Sequence, residues 1–343
     1  MKKKVRIVLM VVLAAVFAVS AVMLIRELTQ YKKGEETYQE AEELAGVPDL
    51  SDVEPLAPDA SASSAAASAS GSAVPYVDPY AEELRNMDFS ALRKVNSEIL
   101  GWILIPNTVI SYPVVQHANN DYYLNHTWRK QSGMVGSIFL EYQNSAGFSD
   151  FNTVIYGHNM NNGSMFGSLK KYKSKSYWNS HPYVYLTTDK GSRAYEIFAA
   201  YEVSTAGATY QIGFSSADAK QSFLDYCVGQ SVISTGVTPT VYDQIITLST
   251  CTGHGHATRW VVQARLKGTV PADTQPAAKA ETPAETPAET PAASSSAPAA
   301  SAAASSSAAA SSSAPAASGE EPAGSQAAAS GEAASPAEAA TSP

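Results

Sequence analysis

The chain has 343 residues and a formal net charge of −9, but the acidic excess lies outside its central part. Residues 1–75 hold 7 basic and 10 acidic side chains, residues 271–343 hold 1 and 8, and residues 76–270 hold 15 and 14. The central part therefore lacks the basic face that nucleic-acid binding requires, which excludes that class of partner. It also contains every Trp and both Cys of the chain, and its length suits one globular domain.

The N-terminus combines a basic segment with an uncharged apolar run at residues 7–25, followed by Arg26. About 20 apolar residues suffice to cross a bilayer as a helix, and basic residues before them favour a cytoplasmic N-terminus. A cleaved signal peptide with a small-residue site at residues 18–20 is the alternative, although the run is longer than a usual signal core. We expect residues 1–26 to be a retained single-pass anchor in the cell membrane, with everything beyond Arg26 extracytoplasmic.

Two segments of biased composition flank the central domain. Residues 27–75 become rich in Ala, Ser and Pro from about Pro48, and we expect them to form an extracytoplasmic low-complexity linker. Residues 271–343 are nearly all Ala, Ser, Pro, Glu and Thr, without a large apolar side chain to offset the entropy of ordering. The sequence therefore predicts one folded domain at residues 76–270, which would hold any catalytic site, and a disordered tail at residues 271–343.

The central domain begins with helical signals and continues as a series of short strands. Asp78 and Pro79 predict the N-cap and first turn of one helix, and residues 89–99 predict a second. Further helices are predicted at 164–172 and 216–228. β-Branched and aromatic runs bounded by turn residues predict eight strands, at 102–106, 109–116, 136–140, 153–156, 183–186, 194–201, 245–249 and 260–266. This pattern favours a mainly β domain, either a closed barrel or a sandwich.

One run near the end of the domain combines the residues of a reactive site. Cys251 lies just after the predicted strand 245–249, and Arg259 lies just before the next predicted strand, beyond a Gly-rich loop. A cysteine reacts as its thiolate, which a neighbouring cation favours. The arginine side chain offers a rigid fork of donors to an oxyanion that develops during acyl transfer. The pair indicates covalent catalysis, provided that a base lies elsewhere in the chain.

The best candidate for that base is His158, which follows the strand 153–156 in a Gly- and Asn-rich turn. A rigid strand positions such a residue while the loop keeps it exposed. His254 and His256 are closer to Cys251 in sequence, but a glycine loop would hold them loosely. Zinc binding by these three histidines and Cys251 is the alternative, although Cys-x2-His-x-His matches no standard ligand spacing. We expect neither a metal nor a cofactor.

The second cysteine, Cys227, lies on one face of a predicted helix with Phe223 and Leu224. This spacing predicts a buried core cysteine. A disulfide between Cys227 and Cys251 is the alternative in an exported protein, and it would block the chemistry of the thiol.

These motifs resemble the class B sortases of Gram-positive bacteria over about residues 79–266. The segments that carry the resemblance, in chain order, are Gly101-Trp-Ile-Leu-Ile-Pro, Tyr112-Pro-Val-Val-Gln, Gly136-Ser-Ile-Phe-Leu, Asn152-Thr-Val-Ile-Tyr-Gly-His-Asn-Met, Met165-Phe-Gly-Ser-Leu, Thr247-Leu-Ser-Thr-Cys and Arg259-Trp-Val-Val-Gln-Ala-Arg-Leu. The resemblance implies an eight-stranded β-barrel with N-terminal helices and a helix inserted before the strand that leads to the catalytic cysteine. The long C-terminal tail departs from the usual pattern, in which the chain ends near the last strand.

The resemblance also implies residue roles: Cys251 as nucleophile, His158 as general acid and base, and Arg259 as stabiliser of the substrate and oxyanion. The family's substrate-binding positions match Asn120, Leu124, Ser249 and, less closely, Tyr210, because loop lengths differ around it. For Asn120 and Leu124, a turn amide and a core leucine are equally open alternatives.

The implied function is that of a membrane-anchored cysteine transpeptidase. It would cleave a C-terminal sorting motif of secreted proteins after Thr through a thioester acyl-enzyme, and transfer the acyl group to a cell-wall peptide amine or a pilin lysine. An extracellular cell-wall cysteine peptidase is one alternative, although papain-like peptidases place the cysteine before the histidine and at a helix start. A non-catalytic surface scaffold is the other, and it would need no reactive thiol.

Overall fold

The computed structural model of the chain describes residues 2–53, 77–252 and 257–273. The predictions for the rest of the linker, for most of the C-terminal tail and for His254 and His256 concern residues outside these ranges.

Eight strands in the described part of the chain close into a barrel, which decides between the barrel and the sandwich. The strands are β1 (Ile99–Leu104), β2 (Ser111–Val115), β3 (Ile138–Leu140), β4 (Asn152–Tyr156), β5 (Tyr183–Thr188), β6 (Gly191–Ser204), β7 (Ile245–Cys251) and β8 (Thr258–Pro271). Their order around the barrel is β1-β2-β3-β4-β7-β8-β6-β5. The β2–β3 and β4–β7 pairs are parallel and the other pairs are antiparallel. Each predicted strand overlaps one observed strand, so the eight-stranded barrel is confirmed.

Helices lie outside the strands of this barrel, and they differ from the sequence predictions in three places. They are α1 (Lys2–Ala45), α2 (Pro79–Leu84), α3 (Ser90–Val95), α4 (Lys175–Ser180), α5 (Ala217–Gln230) and 3₁₀ helices at Tyr122–Leu124, Gly167–Lys173 and Ala208–Tyr210. The Asp78 carboxylate accepts a hydrogen bond from the amide of Ala81, which confirms the predicted N-cap of α2. Helix α5 precedes β7, as expected for the helix before the cysteine strand.

The predicted helices at 89–99 and 164–172 are both corrected by the structure. Helix α3 ends at Val95 because the Asn96 side chain accepts a hydrogen bond from the amide of Glu98 and begins a turn into β1. The second segment is a 3₁₀ helix, and α4 follows it. The indole N–H of Trp260 donates to the carbonyl of Leu169 at 2.8 Å, which is a group that an α-helix would use for its own ladder.

Helix α1 extends well beyond the predicted anchor. Residues 27–45 are helical, whereas the sequence predicted linker from residue 27. The physical reason is an apolar stripe: residues 31, 34, 38, 41 and 45 recur at spacings of three and four and face the barrel, where Tyr38, Ala41 and Ala45 are buried. The apolar part of the same helix is long enough to cross a membrane.

The two faces of strand β7 pack against different parts of the protein, and Cys251 lies at the end of this strand. Ile246 and Leu248 belong to the main core, and burial of each such side chain contributes about 1.5–3 kcal/mol. Ile245 belongs instead to a second cluster beneath α5, together with Cys227. Because side chains alternate along a strand, residues 245, 247, 249 and 251 all lie on this second, outer face.

Candidate active site

Cys251 and Arg259 are direct neighbours across the β7–β8 ladder. They are Cα partners in the antiparallel pair, and side chains at such positions have Cβ atoms about 4.5–5.5 Å apart. Both residues are half-buried. The hydroxyl groups of Thr252 and Thr258 share a hydrogen bond of 2.7 Å just beyond them, which closes the two strand ends. The thiol and the guanidinium predicted from the sequence therefore share one face of the barrel.

His158 reaches the same edge through the parallel pairing of β4 with β7. Tyr156 is the Cα partner of Ser249, and the amide of Gly157 donates to the carbonyl of Ser249 at 3.1 Å. His158 follows Tyr156 by two residues, as Cys251 follows Ser249 by two. Parallel strands lie about 4.8 Å apart, so the register brings the imidazole and the thiol to one end of adjacent strands.

The imidazole of His158 is held from the side of the segment 123–136. Its Nε2 lies 2.5 Å from the carbonyl oxygen of Leu124, and because a carbonyl only accepts, this contact places a proton on Nε2. The main-chain oxygen of His158 accepts from the amide of Phe166 at 2.9 Å, which closes the loop after β4. Gly136 packs against the ring with φ of +56°, and a Cβ there would lie 2.9 Å from Cδ2 of His158. The histidine thus has a defined orientation.

Tyr210 and Ser249 meet beside the cysteine. Their hydroxyl groups share a hydrogen bond of 2.9 Å, and the Tyr210 ring stacks on Tyr156 with 6.3 Å between ring centroids. Burial raises the pKa of Tyr210 to about 12, while the charge of Arg259 acts in the opposite direction. The phenol therefore remains protonated at neutral pH and can donate. Tyr210, which matches the family's substrate-binding positions less closely than the others, thus lies next to Ser249.

Asn120 is tied to this group through a carboxylate that the sequence did not single out. Glu141 is only 6% exposed and accepts hydrogen bonds from the Asn120 amide at 2.5 Å and from the Tyr156 hydroxyl at 2.9 Å. The Asn120 carbonyl oxygen accepts from the amide of Tyr142. Burial, followed by the charge of Glu141, raises the pKa of Tyr156. The Asn120 side chain is therefore held in place by the buried carboxylate of Glu141 and by the main chain of Tyr142.

Leu124 is not a core leucine, because its side chain is 43% exposed while its carbonyl contacts His158. The seven predicted site residues therefore all lie along one edge of the barrel.

Two residues that support this site, Glu141 and Asn152, were not predicted from the sequence. The amide of Asn152 donates to the carbonyls of Thr209 and Gln211, on both sides of Tyr210. A signal was present for Glu141, since a charged residue directly follows the buried strand β3.

Cys227 lies in the core, as predicted, and its thiol is free, as is that of Cys251. Burial raises the pKa of the Cys227 thiol to about 11, which suppresses the thiolate at neutral pH. Two of the four residues in the zinc alternative, His254 and His256, lie outside the described residues. Within the described ranges, no cluster of three or more His, Cys, Asp or Glu side chains is arranged to hold a metal ion.

Comparison with known proteins agrees with this geometry. The sortase domain family model matches residues 103–267. Sortase B of Listeria monocytogenes serovar 1/2a is 39% identical over 170 residues, which cover 50% of this chain and 67% of that protein. Sortase B of Staphylococcus aureus is 34% identical over 163 residues, which cover 48% of this chain and 67% of that protein.

Solved structures of sortases B have a fold similar to that of this chain. Sortase B from B. anthracis superimposes with a TM-score of 0.55 at 32% identity, covering 70% of this chain and 98% of that one. A Staphylococcus aureus sortase B–substrate complex gives a TM-score of 0.50 at 33% identity, covering 52% of this chain and 84% of that one.

The chain belongs to the sortase family of cysteine transpeptidases. Its closed mixed barrel, with a cysteine and an arginine paired across the strand ends, agrees with these relatives. Within that family its relatives are sortases B, which confirms the class B resemblance.

Proposed function

We propose that this sortase is anchored in the cell membrane by α1 and cleaves a C-terminal sorting motif of secreted proteins after Thr. Cys251 is the nucleophile, His158 the general acid and base, and Arg259 the group that stabilises the oxyanion. The acyl group passes to an amine of a cell-wall peptide or to a pilin lysine. The observation that carries this proposal is the Cys251–Arg259 pair across the β7–β8 ladder. The register between β4 and β7 brings His158 to the same edge of the barrel.

In the first half-reaction the Cys251 thiolate attacks the threonine carbonyl carbon and forms a C–S bond. The carbonyl oxygen becomes an oxyanion, to which the Arg259 guanidinium presents its donors. When the C–N bond breaks, the imidazolium of His158 protonates the leaving amine. The contact of Nε2 with the Leu124 carbonyl leaves Nδ1 as the proton-transferring atom. The products are a thioester on Cys251 and a released C-terminal fragment.

In the second half-reaction an acceptor amine attacks the thioester carbonyl. Neutral His158 takes the proton of that amine, and the collapse of the tetrahedral intermediate expels the Cys251 thiolate. The step forms one peptide bond and breaks one thioester bond, so no cofactor and no energy source are required. The exposed side chain of Leu124, together with Asn120, Tyr210 and Ser249, contacts the bound motif in this proposal.

Burial supports the choice between the two cysteines. Cys227 is 0% exposed beneath α5, where a protein substrate has no access, and its pKa is raised. Cys251 is half-buried at a strand end, with a guanidinium as its cross-strand neighbour.

The experiment uses a library of quenched fluorescent peptides with Thr before the scissile bond, and triglycine as the acceptor amine. Triglycine is chosen because a sortase B has been crystallised in complex with that peptide. We expect Cys251→Ala to abolish turnover and the matched variant Cys227→Ala to retain it. Normal turnover by Cys251→Ala would refute the assignment of the nucleophile.

The same products distinguish transfer from hydrolysis. A transpeptidase gives the acyl fragment joined to triglycine, and the yield of this product rises with acceptor concentration. An extracellular peptidase gives the free threonine carboxylate alone, even when triglycine is in excess. Mass spectrometry of the product mixture separates the two outcomes.

A further inference from the structure

Helix α1 docks against the segment that supports His158. The Tyr38 hydroxyl donates to the carbonyl of Gly136 at 2.5 Å, and its side chain is 6% exposed. The Trp128 indole N–H donates to the α1 carbonyl of Thr37 at 2.8 Å. Gly34 lets the helix approach closely, since a Cβ there would lie 2.6 Å from Val135. Burial raises the pKa of Tyr38, so its phenol remains a donor at every physiological pH.

Gly136 transmits this contact to the site. Its φ of +56° is a conformation that glycine adopts without strain, and a Cβ would lie 2.7 Å from the carbonyls of Tyr123 and Leu124. The same Cβ would lie 2.9 Å from Cδ2 of His158. The Leu124 carbonyl, in turn, contacts Nε2 of His158. One peptide unit therefore packs against both the imidazole and its hydrogen-bond partner, while its carbonyl is held by α1.

We propose that Tyr38 is a positioning residue for His158, and that the part of α1 at residues 31–45 is a structural component of the active site as well as a spacer from the membrane. This inference rests on the proposed role of His158. The helix is continuous from its apolar segment to Tyr38, about 20 Å from residue 25 at 1.5 Å per residue. The element that places the barrel relative to the bilayer thus also orients the imidazole.

The test compares Tyr38→Phe with the matched variant Tyr172→Phe in the full chain, purified in detergent micelles. Tyr172 is buried like Tyr38, and its hydroxyl also donates to a main-chain carbonyl, that of His181 at 2.7 Å. Histidines are labelled with ¹³C at Cε1, and the His158 resonance is assigned with His158→Gln. Turnover is followed with the best peptide of the library and triglycine.

We expect Tyr38→Phe to shift the His158 resonance and to lower kcat about three- to tenfold, the loss typical of one buried hydrogen bond, with KM changed less than about twofold. Tyr172→Phe should leave the resonance and both constants as in the parent. Gly34→Leu, which forces α1 away from Val135 by another route, should reproduce the effects of Tyr38→Phe.

Two results would overturn the inference: an unchanged His158 resonance in Tyr38→Phe, or equal changes in Tyr172→Phe, which would indicate general destabilisation. The resonance does not depend on turnover. Its failure to respond is therefore distinguishable from failure of the proposed function, which the Cys251→Ala experiment decides.

Discussion

At the scale of single residues, Cys251 and Cys227 carry the same thiol in opposite surroundings. Cys227 lies among apolar side chains beneath α5, and burial raises its pKa to about 11. Cys251 lies at the end of β7, half-exposed, with Arg259 across the ladder. The two thiols differ in exposure because Cys227 lies on the buried face of α5, whereas Cys251 lies where strand β7 ends.

The arginine is expected to act through its geometry as well as its charge. Arg259→Lys retains the positive charge but replaces a rigid fork by a point charge. We expect kcat to fall about 10²- to 10³-fold, the usual cost of losing one oxyanion donor. Arg193→Lys is the control, since the Arg193 guanidinium donates to the main-chain carbonyls of Gly147 and Phe148 and has no role in the proposed mechanism. Steady-state kinetics on the two variants check this expectation. A parental kcat in Arg259→Lys, as in the control Arg193→Lys, would contradict the role of Arg259.

The residues that the sequence predicted and those that it missed differ in what defines them. Cys251, Arg259 and His158 stand next to strand ends and glycine-rich turns, so local pattern and family resemblance locate them. Glu141 and Asn152 are defined by partners that are distant in sequence: Asn152 bonds to carbonyls 57 and 59 residues away. Such contacts exist only once the barrel has closed, and no local spacing predicts them.

At the scale of elements, the 3₁₀ helix Ala208–Tyr210 is held from beneath by Asn152. The Asn152 amide donates to the carbonyls of Thr209 and Gln211, and its carbonyl oxygen accepts from the Thr247 hydroxyl at 2.7 Å. Strand β4 thus fixes the segment that carries Tyr210, on the same face as the cysteine. The binding of the sorting motif should therefore depend on a side chain that never contacts it.

We expect Asn152→Ala to lower the free energy of unfolding by about 1–3 kcal/mol, because it leaves buried main-chain carbonyls unpaired. Loosening of Tyr210 should also raise KM about three- to tenfold, with a smaller change in kcat. The control is Asn144→Ala, which removes another buried amide that bonds to Asp150 and to the main chain of β4. Peptide titrations and thermal unfolding check both variants, and equal KM values in the two would contradict the role of Asn152 in holding Tyr210.

Secondary structure was predictable where the local pattern agreed with the tertiary contacts. The eight strands follow from β-branched and aromatic runs between turn residues. The sequence predicts an ordinary helix at 164–172, whereas the structure has a 3₁₀ helix at 167–173, because the indole N–H of Trp260 in β8 donates to the Leu169 carbonyl. Residues 27–45 were assigned to the linker, although their stripe at spacings of three and four packs on the barrel.

At the scale of the whole molecule, α1 joins an apolar segment to the barrel without interruption. If the anchor is retained, the full chain should remain in the membrane fraction after alkaline carbonate washing. Deletion of residues 2–25 should release it, because about 19 apolar residues supply the membrane affinity. External protease should digest the catalytic domain and tail in intact protoplasts.

The mature N-terminus decides between the anchor and the signal peptide. Mass spectrometry of the protein from membranes should find residues 7–25 in the mature chain. A soluble protein that begins near residue 20 would contradict the anchor, and it would also remove the continuity between α1 and the bilayer.

The central claim is that Cys251 forms a thioester with the sorting motif, and the acyl-enzyme is the most direct test of it. The protein is mixed with a cleavable library peptide without acceptor amine, quenched in acid, digested and mapped by mass spectrometry. We predict an adduct that ends in Thr on the Cys251 peptide, and its disappearance, with formation of the joined product, when triglycine is added before the quench. Peptide cleavage without an acyl adduct, or an adduct on Cys227, would contradict the account.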